Sequence, residues 1–359
     1  MMRRLILVGL LGAVIALAGP TGVRAEGVAV RSTNHAALRA EYDDNVKKLV
    51  RDPDADFLAR VFFDTNWDIF LNPTNVFTAA YTLGAKKYAE IDDEDTLINQ
   101  LMLRYYNADI GNTYLGGDAN FKLRNVRDEQ EDYNKLILRA FAGHDFNAGV
   151  NAEANASYTR FDFATSDFYD YWTQGFGVQL RKTFSHRLAT GASYAMEDKN
   201  YPVLAFEQIP GADGQLFLQR KDELRQDLLT ELGMFVTSNY YLLVNFAYTL
   251  QINNSNSYGD TYYNHRLRLG LSKALTDDLN VHLFAVANFR DSYEEVLIPH
   301  SYSVEEDDEN NNQLIAKLNR RITGDWWFEL RYARYWSTYS NRQFNFTKNI
   351  YSVGVSTSF

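Results

Sequence analysis

The chain has 359 residues, 46% of them hydrophobic and 23% charged, with no cysteine and a formal net charge of −10. The absence of thiols excludes disulfides, thiolate metal centres, covalently attached haem and a cysteine nucleophile, and the acidic balance argues against nucleic acid as a partner. Aromatic residues reach 14%, with 24 Tyr and 23 Phe, residue types that favour strands and membrane-interface belts.

At the N-terminus, Arg3 and Arg4 precede an apolar run from Leu5 to Ala18, and Val-Arg-Ala stands before Glu26. This pattern predicts a secretory signal peptide over residues 1–25. Its removal takes away Arg3, Arg4 and Arg24 and no acid. That leaves 33 basic against 46 acidic residues, a net charge near −13. No later stretch approaches the about 18 apolar residues of a membrane helix. Residues 26–34 read as a short N-terminal segment and 35–359 as one barrel domain.

From residue 35 onward the dominant pattern is alternation with period two. In "YLLVNFAYTLQI", Tyr240, Leu242, Val244, Phe246, Tyr248, Leu250 and Ile252 share one face, and Asn245, Thr249 and Gln251 the other. Leu267, Leu269 and Leu271 alternate with Arg266, Arg268 and Gly270. Leu279, Val281, Leu283 and Ala285 alternate with Asn280 and His282. Such runs are longer than the about five or six residues of an average strand and match the about 9–11 of a tilted membrane strand plus its rims.

The punctuation is regular. Short polar turns fall at residues 72–75, 109–112, 144–147, 184–187, 237–239, 275–278 and 323–325, and longer polar segments lie between them. Short and long connections alternate, as in an up-and-down barrel. The expected fold is therefore all-β, a transmembrane antiparallel barrel of about 16 strands with both termini on the periplasmic side. Pro53, Pro73, Pro202, Pro210 and Pro299 all fall in the expected connections, as ladder hydrogen bonding requires. Residues 201–222 are unusually apolar for a loop. They read either as a constriction folded into the pore or as a hairpin extending two strands. The alternation after Asp213–Gly214 favours the hairpin.

A sheet that spans a membrane must close on itself, with one face in lipid and the other around the lumen. The apolar face is then the outer one. The other carries charge on strand after strand. Arg39, Arg60, Arg104, Lys122, Arg124, Arg139, Arg181, Arg266, Arg268, Lys317, Arg321 and Arg331 are the expected pore-lining cations. With Lys86, Lys135 and Arg290 they make about fifteen basic residues, against about nine acidic ones. Two readings follow: an anion-leaning lumen, or a mixed-charge lumen zipped by opposite charges with weak selectivity. The acids Asp92 to Asp95, Asp128 to Asp132 and Glu305 to Glu309 concentrate in long loops. There they either hold divalent cations that bridge lipopolysaccharide phosphates or keep the loops solvated.

Trp67, Trp326 and Trp327 lie near short turns, and Trp172 and Trp336 near long loops, as two membrane girdles would. The chain ends "NIYSVGVSTSF". Tyr351, Val353, Val355, Thr357 and Phe359 share the apolar face of this strand. It resembles the terminal signature of bacterial outer-membrane proteins. That resemblance implies recognition of the C-terminal strand, ending in Phe359, by the barrel-assembly machinery. Thr357 departs from the large residue usual third from the end.

"RAEYDDNVKK", residues 39–48, closes the first strand. Its Tyr42-Asp43-Asp44-Asn45 resembles the β-barrel porin type 2 group, whose members often belong to exopolysaccharide secretion systems. From the residues themselves, the four read either as a girdle Tyr and a solvated lip or as a cation or sugar site. His35, His144, His186, His265, His282 and His300 stand in no Gly-x-Ser-x-Gly or His-Glu-x-x-His motif, so no catalytic, cofactor or metal residue is assigned. The expected function is a Gram-negative outer-membrane porin or channel, for small solutes or exopolysaccharide. Its partners would be membrane lipid, lipopolysaccharide and a periplasmic secretion component. The alternative is an insulating sheath around a partner, as in a porin–cytochrome electron conduit.

Overall fold

The computed structural model describes residues 24–25, 28–127, 132–164, 170–210, 216–293, 312–337 and 345–359. Residues 1–23 of the expected signal peptide, the acids Asp128 to Glu131 and Glu305 to Glu309, Pro299 and His300 lie outside them. A two-residue strand, β1 (Arg24–Ala25), pairs with the start of β2 (Val28–Asp43). There follow β3 (Asp56–Asn72), β4 (Asn75–Tyr88), β5 (Thr96–Ile110), β6 (Thr113–Val126), β7 (Tyr133–Phe146), β8 (Val150–Phe163) and β9 (Tyr171–Ser185). The second half comprises β10 (Leu188–Pro210), β11 (Leu216–Asn239), β12 (Leu243–Ser255), β13 (Tyr262–Thr276), β14 (Leu279–Ser292), β15 (Asn312–Thr323), β16 (Trp326–Trp336) and β17 (Thr347–Ser358).

From β2 onward each strand pairs antiparallel with the next, and β17 pairs with β2. The result is a closed up-and-down barrel of sixteen strands. All seven short turns lie at one end, with the start of β2 and the end of β17. Local chemistry makes these turns. The Asn72 carboxamide oxygen accepts from the backbone N–H of Thr74 at 3.0 Å and of Asn75 at 2.8 Å, around Pro73. Gly111 and Gly324 supply the left-handed φ, 64° and 51°, that two other turns need.

Several boundaries differ from expectation. The turns expected at 144–147 and 237–239 lie three residues later, between Phe146 and Val150 and between Asn239 and Leu243, so Tyr240 and Leu242 are in a turn and not in β12. β2 begins at Val28, so residues 28–34 belong to a strand; Ala29 to Asn34 pair with Thr65 to Phe70 of β3. Pairing with β17 starts only at His35, which is where the ring closes. Residues 201–210 and 216–222 extend two strands, as the hairpin reading expects: β10 and β11 run on together to Pro210 and Leu216, and Asp213–Gly214 lies outside the described residues. Pro202 and Pro210 therefore lie inside a strand. The strand tolerates them because β9 stops pairing at Asn200, which leaves an unpaired edge, and because the register shifts between Asn200 and Leu204.

Register and closure identify the inner face. Arg39 of β2 reaches Glu329 of β16 across the intervening β17 at 2.9 Å. Tyr88 of β4 reaches Asp43 of β2 across β3 at 3.4 Å. Contacts that skip a strand are possible only on the concave side. The convex side presents Leu38, Val61, Leu103, Phe176, Leu180, Leu232, Met234, Phe246, Phe289, Leu330 and Val353, all exposed. An apolar belt around a whole molecule is far larger than the few hundred Å² that soluble proteins leave uncovered. With every ladder bond closed on itself, lipid is the solvent that suits it.

The β2–β17 seam is fastened at both ends. At the turn end Asn34 and Phe359 exchange both backbone hydrogen bonds, at 2.9 and 3.0 Å. The Asn34 carboxamide also donates to the Phe359 carbonyl at 3.2 Å. Thr65 donates to the same Asn34 side chain at 2.7 Å. Each bond contributes about 1 kcal/mol. A chain truncated after Ser358 is therefore expected to unfold at lower urea concentration. It should also yield less of the compact, heat-sensitive band on gels when refolded into vesicles.

Candidate functional site: the inward face of the barrel

The inward face is a lattice of charges whose positions the strand register dictates. Glu41 of β2 accepts two bonds from Arg60 of β3, both at 3.0 Å. Glu329 is the hub of a second group. It accepts from Arg39 at 2.9 Å, pairs with Lys317 of β15 at 2.7 Å and accepts from Ser356 of β17 at 2.9 Å. Arg39 reaches it because Gly354 stands between them. A Cβ at Gly354 would lie 2.5 Å from the Leu38 carbonyl oxygen and 2.6 Å from the Arg39 side chain. Arg139 of β7 donates twice to Asp118 of β6, at 3.0 and 2.7 Å. Asp64 and Asp68 of β3 accept from Thr82 and Thr78 of β4, each at 2.7 Å.

Like charges also meet. Arg39 lies opposite Arg60, and Arg60 opposite Lys86. Lys122 lies opposite Lys135, and Lys317 opposite Arg331. Directly opposed like charges destabilise a strand pair; Glu41 offsets the row at Arg60, and Glu329 the rows at Arg39 and Lys317. Several cations lie over aromatic faces. Arg104 and Arg139 flank Phe141 at 5.2 and 5.1 Å, Lys122 lies 5.7 Å from Tyr133, and Arg290 lies 3.7 Å from Tyr262.

By register, all twelve expected lining cations share this face. Besides those already placed, Arg266 donates to Asn288 at 3.1 Å and Arg331 to the Tyr335 hydroxyl at 2.9 Å. Arg124 lies opposite Tyr133, Arg181 opposite Asn151 and Arg268 opposite Ala247. Arg321 lies 4.9 Å from the Trp327 ring. Trp327 is therefore on the inward face, opposite Ser356. It cannot join Trp326 in a lipid girdle, because adjacent residues of a strand point to opposite sides. Trp67 and Trp326 at the turn end, and Trp172 and Trp336 at the loop end, are on the outward face. Among the histidines, His144, His265 and His282 bond Thr113, Tyr248 and Ser272 at 2.8, 2.7 and 2.9 Å.

Tyr42-Asp43-Asp44-Asn45 is not a solvated lip. Tyr42 is outward, 5.0 Å from Phe57 and 6.5 Å from Tyr351. Asp43 is fully buried on the inward face, 2.7 Å from Lys348. Asp44 accepts from the backbone N–H of Asn349 at 2.6 Å and from its carboxamide at 2.7 Å. Asn45 donates to the Thr347 carbonyl at 2.9 Å. Three consecutive side chains thus grip three consecutive residues of the last strand and fasten the seam at its loop end. The partners lie some three hundred residues away in the chain, so no local pattern could announce them.

No protein-family model and no curated protein matches the sequence. Among solved structures, the chain is similar to CdiB from Acinetobacter baumannii, with a TM-score of 0.49 and 8% identity over 92% of this chain and 61% of that one. It is also similar to OccD3 (OpdP) of Pseudomonas aeruginosa, with a TM-score of 0.46 and 10% identity over 95% and 93%. A third is a bacterial polysaccharide outer membrane secretin, with a TM-score of 0.43 and 12% identity over 90% and 97%.

Proposed function

We propose that this chain is an outer-membrane channel of a Gram-negative bacterium, with an anion-leaning aqueous lumen that passes small solutes or serves exopolysaccharide export. The carrying observation is the set of cations facing one another on the inner wall of a sixteen-strand ring. Rings of 16–18 strands are wide enough for water, unlike eight-stranded ones. Arg39, Arg60, Lys86, Lys317 and Arg331 gather on neighbouring strands around only two acids, Glu41 and Glu329, and that excess of cations favours anions. The short-turn end, with both termini, faces the periplasm, and the long loops face outward toward lipopolysaccharide. The C-terminal strand is the part offered to the barrel-assembly machinery. The exopolysaccharide role and membership of the porin type 2 group rest on the Tyr42–Asn45 motif alone.

Planar-bilayer recording of the purified mature chain tests this reading. In a salt gradient the reversal potential should favour anions. An Arg60→Gln, Arg331→Gln variant should move it toward zero, because three of the four facing pairs lose a charge. A cation-selective current would overturn the anion-leaning lumen. A purified barrel that is unstable alone, or whose current an added partner protein blocks, would return the sheath reading.

A further inference from the structure

The connection from β2 to β3, residues 44–55, does not rise away from the barrel. Val46, its third residue, is 4% exposed and packs on Leu58 and Tyr88, with Ile91 against the same cluster. Leu58 lies opposite Glu41 on one side and Tyr88 on the other, so both are inward-facing. A loop side chain is therefore buried on the inner wall at the loop end of the lumen.

The segment is held there by a small set of bonds. Asn45 donates to the Leu49 carbonyl at 2.8 Å and accepts from the Leu49 N–H at 2.8 Å, while also donating to Thr347. The Val46 N–H donates to the Asp54 carbonyl at 2.8 Å. Lys47 pairs with Asp93 of the next long connection at 2.9 Å, with both partners well exposed. Lys48 lies 6.0 Å from the Phe346 ring, on the connection leading to β17. Lys48 and Asp52 have φ of 55° and 52°, two of the three left-handed non-glycine residues among the described ones. Such conformations are costly and persist only where the surroundings impose them.

We propose that residues 44–55 are a hinged cover over the channel mouth. Asp43 and Asp44 are the fixed hinge, gripped by Lys348 and Asn349. Val46 is the plug, and Asn45 with the Lys47–Asp93 pair is the latch. Loss of the latch relaxes the left-handed residues and swings Val46 off Leu58 and Tyr88. The effect on current rests on the channel reading; the cover itself does not.

Because the chain has no cysteine, Leu58→Cys creates a unique thiol beneath the plug. The full mature barrel, refolded into vesicles, is exposed to a membrane-impermeant thiol reagent. Gln179→Cys, at an exposed inward position on β9, is the uncovered control. Leu58→Cys should react far more slowly than Gln179→Cys. Adding Asn45→Ala should speed its reaction about tenfold or more, since several hydrogen bonds are lost, and should raise the single-channel conductance. If Asn45→Ala prevents folding, Val46→Ser uncovers the same site without touching the latch. Equal rates at Leu58→Cys and Gln179→Cys in the otherwise unchanged barrel would overturn the cover, as would a rate indifferent to both second substitutions. Accelerated labelling in a barrel that never conducts would uphold the cover and remove the channel.

Discussion

Replacing Glu329 by Ala is expected to cost the barrel about 3 kcal/mol and to be the most damaging single change on the inner wall. The carboxylate side chain is 3% exposed and joins Arg39 and Lys317. Its removal takes away the carboxylate that binds both Arg39 and Lys317, and leaves Lys317 facing Arg331. Removing one partner of a buried pair costs about 3–5 kcal/mol. Arg39 and Lys317 are 17% and 26% exposed, so water recovers part of that, and the lower end applies. Urea titration of the vesicle-refolded barrel, followed by tryptophan fluorescence, reads the midpoint. Glu329→Gln keeps the shape and the Ser356 contact, and should lose nearly as much if charge is the cause. Adding Arg39→Gln to it should then cost little more, because the two residues act as one unit. A Glu329→Gln barrel as stable as the parent would show that the hub fills space rather than balancing charge.

Leu269→Arg is the second large effect. Leu269 is at the centre of β13 and points outward, opposite Ala285 of β14 and Phe246 of β12. An arginine on the lipid face near the bilayer midplane costs about 2–4 kcal/mol. Its neighbour Arg268 points inward, and Arg268→Leu should lower folding yield and the urea midpoint less than Leu269→Arg does. The two substitutions sit one residue apart and change the same kinds of side chain. Their contrast therefore reads the orientation of the sheet and little else. Equal tolerance of both in folding yield would contradict a lipid-facing apolar side.

The two faces, the sixteen strands and the alternation of turns with long loops were all legible in the sequence. The reason is geometric. A strand sends successive side chains to opposite sides, so a membrane outside and water inside write themselves into every run as period two. Leu269 beside Arg268, or Val353 beside Gly354, carries that information within two residues. It does not depend on knowing which strand lies next door.

What depended on closure could not be read this way. Nothing near Tyr42-Asp43-Asp44-Asn45 shows that its carboxylates are spent on Lys348 and Asn349, or that Val46 turns inward rather than out. Glu329 was one inward acid among about nine until the ring brought Arg39 over Gly354 to meet it. The Trp326–Trp327 pair looked like one girdle because both flank a turn, yet register puts them on opposite walls. Local periodicity, a property of each strand alone, decided the solvent of each side chain. Pairing register and the meeting of first strand with last, properties of the whole ring, decided which side chains hold one another.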